Sequence, residues 1–249
     1  MLEHGDLADY YQLKDFVIAV FPKLSPTYQQ NYIIQLVNFA IHFHLKTANF
    51  PTDEIFKLYQ FAVAEKAFIH DGILRDVEFT NICITGFNVQ AQEWTNQFIE
   101  DHQQFLGKEE RIYLVPFVHA YNRLFSNDFE GVILLLRAVN PKNNLKYLAR
   151  IQSLLIRAFF ECELNGIGNY RKPLYSYLVN LKSLMERNQS NTTIRKDAYL
   201  NFVDFVRKLI PLLDTPSNLT TFIKTEIAAT KPIHFRKWLL EKLEALTAK

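Results

Sequence analysis

The chain has 249 residues, of which 49% are hydrophobic and 22% charged, with a formal net charge of +2. That balance excludes a disordered polymer, and the length suffices for a buried core without staples. Seven Gly and nine Pro are too few for the many turns of an all-β fold, and two Cys are too few for a disulfide framework.

Read in chain order, Leu7 to Phe21 forms a first helix, stopped by Pro22. Ser25-Pro26 opens a second that runs to about Lys46, with Ser as cap and Pro at the first helical position. Thr52 caps a third, which has Asp53 and Glu54 in its first turn. It carries Ile55, Phe56, Tyr59 and Val63 to the core and ends near Asp71-Gly72. Then come helices over Arg75 to Val89, Glu93 to Phe105, Glu109 to Phe125 and Asp128 to Val139. The last starts from a capping box of Asn127 and Glu130 and is broken at Asn140-Pro141. Asn143 to Asn165 is long and apolar on more than one side, as expected in the middle of a stack. Tyr170 to Arg187, Thr192 to Leu213, a short helix capped by Thr215-Pro216, and His234 to Leu246 complete the series.

A motif recurs along these helices. Glu93-Trp94 is followed four and five residues after the Trp by Phe98-Ile99. Asp128-Phe129 is followed likewise by Ile133-Leu134, and Asn169-Tyr170 by Leu174-Tyr175. A repeat of this kind describes stacked helical units, each covering its neighbour's apolar face.

The phrase Leu124 to Val132 resembles the turn between the two helices of a tetratricopeptide unit. Gly86 and Ala120 hint at that family's first-helix Leu-Gly signature. The chain departs from the consensus at the small position of the second helix, which holds Gln97, Val132 and Pro173. Asn81-Ile82, Glu93-Trp94, Tyr199 to Phe202 and Trp238 to Leu243 look like phrases of uncharacterised bacterial proteins with degenerate repeats, generally longer than this chain. The resemblance implies an all-α, right-handed α-solenoid (a TPR-like superhelix) of about five to six antiparallel helical hairpins. Without low-complexity tracts or Gly/Ser linkers, residues 1–249 read as one helical-repeat domain, with Asp71-Gly72 as a weak candidate boundary. The chain would be a short member of that set, or the C-terminal part of a longer array. No activity is implied.

Candidate sites are few. Lys146, Arg150, Ser153 and Arg157 form one polar stripe on the long central helix. In tetratricopeptide-like stacks the first helix of each pair lines the concave groove, where two cations one turn apart could hold a carboxylate or phosphate. The competing reading is a solvated face with Arg157 paired to Glu161. Tyr113, Phe117 and Tyr121 recur at i,i+4, as core or as apolar anchors in a groove. His42 and His44 lie two apart and point to different faces, and the other histidines are dispersed, so no metal is expected. Glu161 and Glu163 flank Cys162, which lies on the apolar row, and Cys83 and Cys162 both read as small buried hydrophobes. No Gly-rich phosphate loop, Gly-x-Ser-x-Gly or His-Glu-x-x-His occurs.

No run of 18 apolar residues exists, and Met1 to Asp15 lacks the parts of a secretory signal. The expected location is the cytoplasm, where the Asn-x-Ser/Thr triplets at Asn188, Asn191 and Asn218 carry no meaning. Charge is uneven: residues 1–141 hold 10 Lys and Arg against 17 Asp and Glu, and residues 142–249 hold 18 against 9. The reading that follows is a non-enzymatic, cofactor-free protein–protein interaction module for a peptide or protein partner, with an acidic partner as the form that suits the basic stripe. Partner contacts would fall to Lys146, Arg150, Arg157, Tyr113 and Tyr121. The alternatives are nucleic-acid binding by the basic half, or head-to-tail self-assembly between oppositely charged halves.

Overall fold

The computed structural model describes residues 7–46, 51–142, 144–187, 195–215 and 219–247. Asn143, Thr192 and Pro216, expected at helix starts, lie outside them, as do Asn188, Asn191 and Asn218 of the three triplets. Among the described residues are twelve α-helices, three short 3-10 turns and one two-stranded hairpin. The chain divides into two compact units, Met1–Phe125 and Ser126–Lys249. The first unit has 9 Lys and Arg against 15 Asp and Glu, and the second has 19 against 11. The opposite charges therefore follow the two units closely.

The first unit holds α1 (Leu7–Val20), α2 (Pro26–Lys46) and α3 (Thr52–Ala64). A hairpin of β1 (Ile69–His70) and β2 (Ile73–Leu74) follows, and then α4 (Asp76–Asn88), α5 (Gln92–His102) and α6 (Lys108–Phe125). Each helix from α1 to α4 packs on the next, and α4 also packs on both α5 and α6. The third helix stops earlier than expected. Asp71 and Gly72 instead make a two-residue turn, with φ of 51° and 75°, between paired strands. Asp-Gly supplies the two positive φ values that a tight hairpin turn needs. Thr52 is the first helical residue and Pro51 the cap. Ala62, rather than Val63, completes the buried row of Ile55, Phe56 and Tyr59.

The second unit holds α7 (Phe129–Leu136), α8 (Leu145–Leu164), α9 (Arg171–Arg187), α10 (Lys196–Leu209), α11 (Thr220–Ala229) and α12 (Arg236–Thr247). The helices α7, α8 and α9 each pack on the next one, and α12 packs on both α10 and α11. Asp128, not Asn127, caps α7: its carboxylate accepts the Gly131 N–H at 2.9 Å. Asn127 sits in the left-handed region with φ 58°, so it belongs to the preceding turn. Asn144 caps α8 by accepting the Tyr147 N–H.

α8 is buried on nearly every side, from Tyr147 through Leu164, as its apolar sequence requires. At the three recurring helix starts, the first apolar residue is always buried: Phe98, Ile133 and Leu174. The second is buried only in the first unit, at Ile99. Leu134 and Tyr175 are 66% and 44% exposed.

Candidate functional site

Tyr113 and Phe117 are buried in the first unit, so Tyr113 is withdrawn as a partner contact. An i,i+4 spacing of aromatics identifies a common face but does not say whether that face meets solvent. Tyr121 is half-buried, its ring against Phe117 and Phe125. The basic stripe belongs to the second unit. There α8, α10 and the residues leading into α12 bring cations and aromatic rings together.

Lys146, Arg150 and Arg157 are all half-buried, while Ser153 is fully buried and donates its hydroxyl to the Ala149 carbonyl. Lys146 Nζ lies 4.8 Å, and the Arg150 guanidinium 5.4 Å, from the centre of the Tyr147 ring. Arg157 lies 5.0 Å from the Phe235 ring and 5.6 Å from the Trp238 ring. Cations over ring faces gain from the ring quadrupole and keep their stems packed. The stripe is therefore three cations seated on rings, rather than a solvated face.

Glu161 does other work. Its buried carboxylate accepts the Trp238 Nε1–H at 2.7 Å and a bond from Lys242 Nζ at 2.9 Å. Two donors from α12 thus offset the cost of enclosing one charge on α8. Glu163 accepts the Tyr170 N–H and the Arg171 Nε–H, and Arg171 forks onto both oxygens of Asp214 at 2.9 and 3.0 Å. Both carboxylates beside Cys162 are structural. Burial, then the charges of Glu130, Glu163 and Glu161, push the Cys162 thiol up to about 11, where it is no nucleophile at neutral pH.

In the sequence His234 is one of several dispersed histidines and the expected start of the last helix; in the structure it precedes α12, which begins at Arg236. The structure sets its ring against Tyr199, centroids 4.2 Å apart and planes tilted by 46°, and its backbone N–H donates to the Ala198 carbonyl. Burial, then the charges of Arg195 and Arg150, hold the imidazole below the usual histidine range. The unfolded chain takes up this proton near pH 6.5, and the folded chain does so only at lower pH. Stability from His234 is thus fully present above about pH 6.5 and is lost as pH falls through the folded value. His119, also held low by burial, adds in the same direction. The urea midpoint should fall between pH 7.5 and pH 5.5, and by less in His234→Gln. An unchanged midpoint in the wild type would contradict the half-buried placement of these rings.

A second surface feature is a depression of about 620 Å³ along α9, lined by Arg171, Lys172, Tyr175, Ser176 and Val179 among others. Among the described residues no cluster of three His, Cys, Asp or Glu side chains is placed to hold a metal. No helix among them is long and apolar enough to cross a membrane. Comparison with family models, with curated proteins and with solved structures finds no match for this chain.

Proposed function

We propose that this chain is a tetratricopeptide-like helical-repeat scaffold, a right-handed stack of helical hairpins that binds an acidic segment of a protein partner without catalysis. The observation that carries this reading is the ring-supported stripe. Lys146, Arg150 and Arg157 are held in place on α8 before any partner arrives. Pre-ordered cations lose less side-chain freedom on binding than cations splayed in solvent. Two further features favour a repeat stack. The recurring helix starts bury the same position, at Phe98, Ile133 and Leu174. Gly86 also lets α4 approach Thr95 of α5 as the family's Leu-Gly signature would.

The nucleic-acid alternative draws less support. Arg171, Lys208, Lys224 and Lys242 are paired with carboxylates, and Arg236 donates to the last carbonyls of α11. Cations engaged in this way are poor candidates for a long row of phosphate contacts. In the protein-binding reading, the exposed Tyr175 and Val179 of α9 add an apolar surface for a partner.

The test is affinity capture from the native cell extract with the wild type and with Lys146→Glu/Arg150→Glu, in low and high salt. The expected result is a protein retained by the wild type and lost on charge reversal and in high salt, with its binding then reconstituted from purified components. Equal recovery by both proteins would remove the stripe from the function.

A further inference from the structure

Between Lys23 and Lys46 the chain runs for 22 residues without one Asp, Glu, Lys or Arg, its longest stretch of that kind. The stretch covers nearly all of α2. One side of this helix belongs to the core: Ile33, Leu36, Val37 and Ala40 are buried, and α2 packs on α1 and α3. The other side is exposed over four turns. Tyr28, Asn31, Tyr32, Gln35, Asn38 and His42 share it at helical spacings of three and four. Tyr28 and Tyr32 are 58% and 40% exposed, with their rings stacked and centroids 6.3 Å apart.

A helix face turned to water ordinarily carries charges. Those of α6, α9, α10 and α12 do, with Glu109, Lys172, Asp204 and Lys237 all exposed. The face of α2 has tyrosines and side-chain amides instead, and no fixed charge. Depletion of charge with exposed aromatics is the composition of an interface centre, not of a solvated face.

We propose that this face of α2 joins two copies of the chain about a two-fold axis, with the two α2 helices antiparallel. About such an axis a surface meets itself, so it must be complementary to itself. A face with fixed charge of one sign repels its own copy. Amide groups and phenol hydroxyls both donate and accept, so Asn31, Gln35, Asn38 and the two tyrosines can pair with their own kind. A strongly acidic or basic partner finds no opposite charge here. Antiparallel pairing sets opposite helix-dipole ends together. Gln35 is the midpoint of Tyr28 to His42 and lies at the axis, so Tyr28 and Tyr32 of each copy meet the Asn38 to His42 end of the other. The face is about 21 Å long and about 10 Å wide, which covers well under the roughly 800 Å² a side of a stable complex. The dimer is therefore weak and reversible, half-formed at about 10–100 μM. It goes beyond the proposed function and uses no residue of the α8 stripe.

The experiment is sedimentation velocity of the full chain across a concentration series from micromolar to a few hundred micromolar, in low salt and in about 0.5 M salt. The mass is expected to rise from that of the 29.2 kDa chain towards twice that value, equally in both salts. Gln35→Lys and Gln35→Glu should each weaken association by about tenfold or more, because each sets like charges against one another at the axis. An equimolar mixture of the two variants should associate again. Both substitutions place a good helix former at an exposed position, and circular dichroism checks that helix content is kept. Tyr175→Lys, on the exposed face of α9, should leave association unchanged. A monomer at every concentration would overturn the proposal and leave the face to solvent or to another protein. A dimer lost in high salt would overturn it in favour of pairing between the oppositely charged units. Association indifferent to both Gln35 variants, or a mixture that stays monomeric, would also overturn it. The capture experiment changes only Lys146 and Arg150, so either result can fail without the other.

Discussion

Trp238→Ala is expected to destabilise the second unit by about 3–5 kcal/mol, the range for deleting a large buried ring. The side chain is 7% exposed and is held from several directions. Phe160 meets it edge-on at 5.4 Å, and Phe202 lies at 6.1 Å. Arg157 lies over its face, and its N–H reaches the Glu161 carboxylate. Truncation would open a cavity between α8, α10 and α12. It would also remove the Trp238 donor from the Glu161 carboxylate, which keeps the bond from Lys242. Trp238→Phe separates the two effects, because it keeps a ring and removes the donor. Its expected cost is about 1–3 kcal/mol, the range for an unmade bond to a buried acceptor. Urea denaturation followed by far-UV circular dichroism measures both variants. A cost below about 1 kcal/mol for the alanine variant would mean that the ring is not enclosed in solution.

The same residues show what could and could not be read in advance. The helices were legible because periodicity and breakers are local properties of the chain: Pro22, Ser25-Pro26 and Gly166 mark ends that the fold respects, whereas α7 ends at Leu136, short of the expected Val139 and Pro141. α8 was legible as a central helix because its apolar residues surround it. The hairpin at Ile69–Leu74 was missed although Asp71-Gly72 is a turn signal, because strands of two residues show no alternation. The α7 cap was misplaced by one residue because Asn127 and Asp128 are both good caps, and the left-handed φ at Asn127 decides between them. The stripe on α8 follows from spacing alone, but the rings beneath Arg157 come from far along the chain, Phe235 just before α12 and Trp238 within it. Glu161 looked like a surface partner for Arg157 one turn away. Its placed donors come instead from Trp238 and Lys242, 77 and 81 residues on. Nothing local to His234 sets it apart from the other histidines. Its distinction lies in Arg150, Arg195 and Tyr199, which tertiary packing alone brings to it.

Gly86→Ala is expected to destabilise the first unit by about 1–3 kcal/mol, although alanine in a helix is ordinarily favoured over glycine by about 1 kcal/mol. Gly86 lies in α4 with nothing unusual in its φ, so the backbone itself does not require glycine. The constraint comes from across the helix pair. A Cβ at this position would collide with Thr95 Oγ1 of α5 and lie 3.2 Å from the Phe56 ring of α3. Thr95 cannot easily yield, because it is fully buried and its hydroxyl donates to the Ala91 carbonyl at 2.7 Å. Thr95→Ala removes the colliding oxygen. In the Gly86→Ala background it should recover about 1 kcal/mol or more, whereas alone it is expected to be destabilising through the lost bond. A double-mutant cycle measured by urea denaturation reads that coupling directly. A stabilised Gly86→Ala variant, or strictly additive effects, would mean that α4 and α5 stand further apart. The glycine would then lose its meaning as the mark of a repeat, and with it one of the two packing features that favour the helical-stack reading.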